Sequence, residues 1–216
     1  MPFILRSTLF NGASLGIWQT TETEEALLAL ANLTEEEMSV LSGFRNVIRR
    51  KQWIACRILA AKLAGDSAGR IRYRESGQPV LGDGSFAISL SHAGDLVAAI
   101  VSEHFNPGID IELLRDRILR VKERFMSDGE LERISEPAIL EKLYIHWSAK
   151  EALYKLYGGG PDIRDEIILH PFDYLCTGLG QAGATVYHGN RTGSHHLHYM
   201  VGGGWILVYV LEPRNG

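Results

Sequence analysis

A group of ionisable residues with helical spacing lies between Trp147 and Lys155. Residues four apart share one face of a helix, so Trp147, Glu151 and Lys155 are expected to lie in a single line. Lys150 is expected to lie beside that line. A surface ion pair between Glu151 and Lys155, worth roughly 0.3–0.5 kcal/mol, is the alternative, but it leaves Lys150 unexplained.

Two acids precede this helix on a predicted strand in which isoleucine and acidic residues alternate. Alternate residues of a strand share a face, so Asp110 and Glu112 point to the same side. Neighbouring acids repel each other, and a cation between them removes that repulsion. Magnesium prefers carboxylate oxygens and leaves other positions to water and phosphates. With Glu151, these acids predict a Mg²⁺ site beside lysines suited to a polyphosphate. A solvated strand edge is the alternative.

The order of these residues resembles the paired signature of the 4'-phosphopantetheinyl transferases. The matching stretches are Gly108-Ile-Asp-Ile-Glu112 and Trp147-x-x-Lys-Glu-x-x-x-Lys155, with Arg124-Phe125 and Glu130 between them. Upstream, Ser89-Leu-Ser91-His92 is similar to the family's Asn-x-Ser-His segment, and Gly77-Gln78-Pro79 to its Gly-Lys-Pro. Gln78 and Ser89 depart from the family's lysine and asparagine.

The resemblance implies an α+β fold of two similar halves related by pseudo-two-fold symmetry, here residues 1–106 and 107–216. The length of 216 residues favours the longer, Sfp-like branch of the family, and two internal halves favour a monomer. The implied reaction moves the 4'-phosphopantetheine arm of coenzyme A onto a carrier-protein serine and releases 3',5'-ADP. The carrier could serve fatty-acid, polyketide or nonribosomal-peptide synthesis.

The resemblance also implies the roles of individual residues. Mg²⁺, or Mn²⁺ in its place, would be held by Asp110, Glu112 and Glu151. Glu151, directly or through a water, would take the proton of the carrier serine, and Lys155 would stabilise the departing 3',5'-ADP. Coenzyme A contacts are assigned to Arg50, Arg57, Arg74, Gln78, Pro79, Ser91, His92, Lys150 and Lys155.

A basic segment follows the predicted acidic strand, between Leu113 and Phe125. A local excess of cations in an acidic protein indicates a partner site, although an ordinary solvated face is the alternative. Carrier proteins of this family's substrates are generally acidic around the modified serine, so opposite charges would steer docking. Docking is therefore predicted near Arg115, Arg117, Arg120 and Arg124.

Composition limits the classes of function. Hydrophobic residues make up 45% of the chain and charged residues 22%, as in soluble globular proteins. A formal net charge of −4 argues against a broad nucleic-acid-binding surface. The two cysteines, Cys56 and Cys176, and the lack of a long apolar run predict a cytoplasmic protein that binds no membrane.

Two other classes of function use the same residues. A metal-dependent hydrolase of nucleotides or pyrophosphates would turn over coenzyme A without any carrier. A non-catalytic module would hold coenzyme A or a carrier without transfer, and the departures at Gln78 and Ser89 leave room for it. The intact acids and lysines favour the transferase.

Turn and capping signals outline the elements around the site. Asn11-Gly12 predicts a turn, and Thr21 with Glu24 and Thr34 with Glu37 have capping-box spacing before two short helices. Apolar periodicity predicts a long helix and the strands of both halves. The helix is expected over 44–63, and the strands over 86–90, 96–101, 108–112, 184–188, 196–201 and 205–211.

Overall fold

The computed structural model describes residues 3–9, 12–65, 69–74 and 77–214. The chain divides into two compact units, one formed by Met1–Arg74 and Pro79–Phe105, the other by Glu75–Gln78 and Asn106–Gly216. Each unit contains its own sheet, so the predicted α+β class is confirmed. Of the predicted Asn11-Gly12 turn, Asn11 lies outside the described residues.

The first unit packs three helices with a six-stranded antiparallel sheet in the order β1-β2-β6-β5-β4-β3. Helix α3 lies against the middle strands β2, β5 and β6. The elements are β1 (Phe3–Thr8), β2 (Ser14–Gln19), α1 (Glu24–Ala31), α2 (Glu35–Ser42), α3 (Val47–Ala64), β3 (Ile71–Tyr73), β4 (Pro79–Leu81), β5 (Phe86–Ala93) and β6 (Leu96–Ser102).

Side chains at the helix ends explain where these helices begin. Thr34 and Glu37 form the predicted capping box of α2. The predicted cap at Thr21 is wrong by two residues: Thr23 has the extended backbone of an N-cap, and its hydroxyl accepts from the Ala26 amide. Helix α3 begins after Asn46, whose side chain accepts from two backbone amides.

The second unit follows with a five-stranded sheet in the order β7-β11-β10-β9-β8, against which α5 packs. Its core joins Leu143, Ala149 and Leu153 of α5 to Val208 and Val210 of the sheet. The elements are β7 (Phe105–Leu113), two 3-10 helices (Asp116–Arg120 and Lys122–Arg124), α4 (Asp128–Arg133), α5 (Ile139–Leu156), β8 (Ile167–Leu169), β9 (Leu179–His188), β10 (Arg191–Val201) and β11 (Trp205–Pro213).

The two units repeat one topology. In the second unit, a strand precedes an 18-residue helix and four further strands, and the first strand pairs with the last. The first unit follows the same order from β2 onward, with the 18-residue helix α3 and with β1 added at the edge. The resemblance between the halves is therefore one of strand order. Among the described residues, no helix is long and apolar enough to cross a membrane.

Candidate active site

Strand β7 places the acids of the predicted signature against helix α5. Ile109 and Ile111 are buried in one direction and Asp110 in the other, and only 5% of Asp110 is exposed. Gly108 allows the close approach of strand and helix, because a Cβ atom there would lie 2.1 Å from the Ala152 carbonyl oxygen. Any side chain at this position would therefore push β7 away from α5.

Three hydrogen bonds from two residues of α5 reach the strand and its acids. The Lys155 ammonium donates to Asp110 Oδ1 at 2.8 Å and to the Ile109 carbonyl oxygen at 2.9 Å. The Trp147 indole N–H donates to Glu112 Oε1 at 3.0 Å. The line of residues expected from helical spacing thus faces β7, and both of its ends are attached there.

The three carboxylates interact electrostatically. Burial raises the pKa of Glu151, and the charge of Asp110 raises it further, while Lys155 partly compensates. Burial and Asp110 also raise the pKa of Glu112, against the opposing effects of the Trp147 hydrogen bond and of Arg117. The site therefore holds more negative charge than its own side chains neutralise.

This excess charge fits a hard divalent cation, since carboxylate oxygens are the ligands that magnesium prefers. Within the described ranges, however, no group of three or more His, Cys, Asp or Glu side chains is arranged so that it could hold a metal ion. Lys155 occupies Asp110 Oδ1 instead. A cation bound at Asp110 would compete with that ammonium.

Lys150 does not lie with these acids, and the expectation that it does is wrong. Its side chain is fully buried, and its ammonium forms an ion pair with Glu130 at 2.8 Å. Glu130 also accepts from the amides of Ser127 and Leu169. Burial lowers the pKa of Lys150. Burial alone would raise the pKa of Glu130, but the charge of Lys150 and the hydrogen bonds from its donors outweigh burial and hold the pKa of Glu130 below its usual range. The pair joins α5 to α4 and leaves Lys150 no surface for a ligand.

Gln78 contacts the end of α5 in the second unit. Its side-chain amide donates to the carbonyl oxygens of Leu156, at 3.0 Å, and Lys155, at 3.4 Å. These carbonyls lie in the last turn of the helix, where intrahelical partners are missing. Gln78 therefore supports the turn that carries Lys155, a contact that the sequence did not predict.

A second chain of contacts secures the same helix end. The Tyr157 hydroxyl lies 2.8 Å from Nε2 of His195, and the other ring nitrogen of His195 lies 2.7 Å from Glu212. These residues connect the end of α5 to β10 and β11. Lys155 is consequently carried on a helix end that is held from two sides.

In the first unit, the arginines assigned to coenzyme A have internal partners. Arg50 forms an ion pair with Glu24 at 2.5 Å, and the Arg57 guanidinium lies 3.4 Å from Glu37 and 3.2 Å from the Trp53 ring centroid. Both arginines hold α1 or α2 against α3. A phosphate would have only the N–H donors that these contacts leave, since a guanidinium has five in all.

Arg49 of α3 was not assigned to the coenzyme A site from the sequence, yet it contacts His92, which was. Its guanidinium donates to Nε2 of His92 and lies 5.6 Å from the Phe44 ring centroid. His92 lies near the end of β5, one residue after the buried Ser91. The signal available in the sequence was the basic run Arg49-Arg50-Lys51, which does not indicate which cation faces the sheet. Of the other assigned residues, Arg74 is exposed after β3 and Pro79 begins β4.

An apolar cavity of about 350 Å³ adjoins Glu112 and Trp147 in the second unit. Its apolar lining comes from Ile118, Val121, Phe125, Tyr144 and Trp147, and its charged lining from Glu112, Arg117 and Arg124. The arginines of the basic segment are exposed around it. A positively charged apolar opening thus lies beside the carboxylates.

Residues 106–206 match the family model of the 4'-phosphopantetheinyl transferase superfamily. This range contains β7, α5 and the three carboxylates, so the second unit is a domain of that superfamily. The chain also resembles individual transferases. It is 29% identical over 118 residues to the 4'-phosphopantetheinyl transferase AcpT of Salmonella typhi, covering 52% of this chain and 61% of the relative. Against AcpT of Escherichia coli strain K12 it is 29% identical over 117 residues, 51% of this chain and 60% of the relative. The matches span less than two thirds of the relatives' own length.

Proposed function

We propose that this protein transfers the 4'-phosphopantetheine group of coenzyme A to a serine of an acyl or peptidyl carrier protein. The observation that carries the proposal is the coincidence of the superfamily match over residues 106–206 with carboxylates that adjoin Lys155 in the same unit. The repeated strand order of the two units supports the longer, two-halved branch of the superfamily.

Asp110, Glu112 and Glu151 would hold a divalent cation, Mg²⁺ or Mn²⁺, once their side chains move together and the Lys155 ammonium leaves Asp110. When present, such an ion would neutralise the charge of the coenzyme A pyrophosphate and polarise its P–O bonds. The excess negative charge of the three side chains supports this assignment. Arg49 with His92 is our candidate in the first unit for a phosphate of coenzyme A.

Glu151 would act as the general base. A new bond forms between the serine oxygen and the β-phosphorus of coenzyme A, the pyrophosphate P–O bond breaks, and 3',5'-ADP leaves. Glu151 would accept the serine proton, directly or through a water. Its raised pKa is that of the carboxylate without a bound cation, and a cation there would lower it. Lys155 would donate to the departing phosphate, since its two contacts within the described residues leave one of its three N–H donors.

The direct test is intact-mass analysis of apo carrier proteins incubated with this protein, coenzyme A and Mg²⁺. We expect a gain of one phosphopantetheine, no gain when a chelator replaces the metal, and recovery on adding Mg²⁺ or Mn²⁺. Consumption of coenzyme A without a carrier would indicate a hydrolase. Binding of coenzyme A without transfer to fatty-acid, polyketide or nonribosomal-peptide carriers would indicate a non-catalytic module.

Charge reversal at Arg117 or Arg120 should weaken carrier docking, because both side chains are exposed in the basic segment beside the apolar cavity. We expect the KM for the carrier to rise about three- to tenfold at low ionic strength, with a smaller effect in high salt. The KM for coenzyme A should stay the same in Arg120→Glu, which is the more specific variant because Arg117 also acts on the charge of Glu112.

Arg191→Glu is the matched control, since Arg191 is an exposed arginine at the start of β10. The basic segment would be excluded as the docking surface if the KM for the carrier were the same in Arg117→Glu, Arg120→Glu and the parent protein. An equal rise of the carrier KM in Arg191→Glu would show that the effect comes from the net charge of the protein and not from the basic segment.

A further inference from the structure

A second cavity, of about 100 Å³, lies in the second unit beside another part of α5. Its charged and polar lining comes from Arg133, Lys142, His146, His170 and Glu130, and its volume is several times what one water molecule needs. Trp147, Glu151 and Lys155 are not among the lining residues. The cavity is therefore separate from the candidate active site.

His146 is the buried polar group of this cavity, with 9% of its surface exposed. Its Nδ1 atom lies 2.8 Å from the Lys142 carbonyl oxygen. A carbonyl oxygen only accepts, so Nδ1 carries a proton and Nε2 of the neutral ring carries a lone pair. In the part of the chain that the structure describes, no protein group forms a hydrogen bond with Nε2. The Phe172 ring, 5.6 Å away between centroids, packs against the imidazole.

The charge of the cavity is positive. Glu130 contributes the lining carboxylate, but one of its oxygens accepts from Lys150 and Ser127 and the other from the Leu169 amide. Arg133 forms no ion pair within the described residues, and Lys142 uses one of its donors on the Ser135 carbonyl oxygen at 2.8 Å. Several N–H donors therefore remain for a ligand.

These charges also act on His146. Burial lowers the pKa of the ring; the Lys142 carbonyl and Glu130 oppose this, whereas Lys150 and Arg133 lower the pKa further. A cation would be repelled by the same side chains. A ligand with acceptor oxygens and negative charge would instead satisfy Arg133 and Lys142 and favour a proton on Nε2.

We propose that this cavity binds a small oxyanion of the size of inorganic phosphate. The N–H groups of Arg133 and Lys142 would donate to its oxygens, and Nε2 of His146 would accept from a phosphate O–H group or, once protonated, donate to a phosphate oxygen. Arginine and lysine are suited to phosphate oxygens, and a volume of about 100 Å³ suits an ion of this size rather than a whole nucleotide. This site does not depend on the proposed transferase activity.

The test is NMR of the full chain labelled with ¹⁵N-histidine, titrated with sodium phosphate and, in parallel, with sodium chloride at equal ionic strength. Coenzyme A is present in excess in both titrations, so that added phosphate cannot bind at the protein's coenzyme A site. The His146 signals are identified by their loss in His146→Gln. We expect a saturable shift of these signals with phosphate and none with chloride.

Arg133→Met and Lys142→Met should each weaken phosphate binding about tenfold or more, while Arg191→Met should leave it unchanged. Arg133 is exposed and forms no ion pair within the described residues, so its variant is the one expected to fold normally. Three results would overturn the proposal: no shift with phosphate, an equal shift with chloride, or unchanged phosphate affinity in Arg133→Met.

Discussion

Replacing Glu151 by glutamine is expected to reduce phosphopantetheine transfer about 10²–10⁴-fold, the range that loss of a general base produces. Glutamine has the same shape but accepts no proton at neutral pH. It also removes a charge that Asp110 and Glu112 repel. The variant should therefore lose activity and yet be at least as stable as the parent protein.

Two measurements separate these effects: the initial rate of carrier modification, and thermal unfolding without metal or coenzyme A. Glu141→Gln is the matched control, because Glu141 lies in the first turn of the same helix and takes part in none of the contacts of the three carboxylates. Transfer by Glu151→Gln within tenfold of the parent rate would exclude Glu151 as the base. A clear fall in melting temperature would contradict the repulsion inferred for the three carboxylates.

Replacing Lys150 by methionine should destabilise the protein by about 3–5 kcal/mol, because it leaves the buried Glu130 carboxylate without its counter-ion. Methionine retains most of the length of the side chain and avoids a large cavity. The free energy of unfolding can be measured with urea or guanidinium. Lys51→Met, on the partly exposed surface of α3, is the matched control and should change stability by less than about 0.5 kcal/mol.

The double variant Lys150→Met with Glu130→Gln tests the cause of the loss. Glutamine carries no charge and can still accept from the Leu169 or Ser127 amide. We expect the double variant to be more stable than Lys150→Met alone. If the double variant lost as much stability as the two single variants together, the unpaired charge of Glu130 would not be the cause of the loss in Lys150→Met. Folded protein of either variant should retain transfer activity, since Lys150 is fully buried.

Local periodicity was sufficient for the elements that build the site. Alternation of isoleucine and acid in β7 and the four-residue spacing in α5 placed Asp110 and Lys155 on surfaces that the structure brings together at 2.8 Å. Both patterns depend on backbone geometry that neighbouring residues impose on one another. The cap at Thr23 shows the limit of this reasoning, because two threonines within three residues offered similar capping groups.

Partners distant in sequence were beyond such reasoning. Lys150 lies one residue from Glu151, yet its partner is Glu130 on α4. Spacing along a helix gives the direction of a side chain relative to its neighbours but does not identify what packs against it. Gln78 likewise matched a phosphate-binding position in the family pattern, whereas its amide contacts the last turn of α5.

The sequence by itself determined the class of fold, the position of strand β7 and helix α5, and the superfamily to which the second unit belongs. These follow from short-range patterns and from a signature of ordered residues. Only the tertiary structure decided the partner of each cationic side chain. Arg50, Arg57 and Lys150 form ion pairs with glutamates of the protein, while Arg49 contacts His92. The physical reason is that a long charged side chain takes whichever partner and degree of burial the packing of other elements provides, and that packing is not encoded in its immediate neighbours.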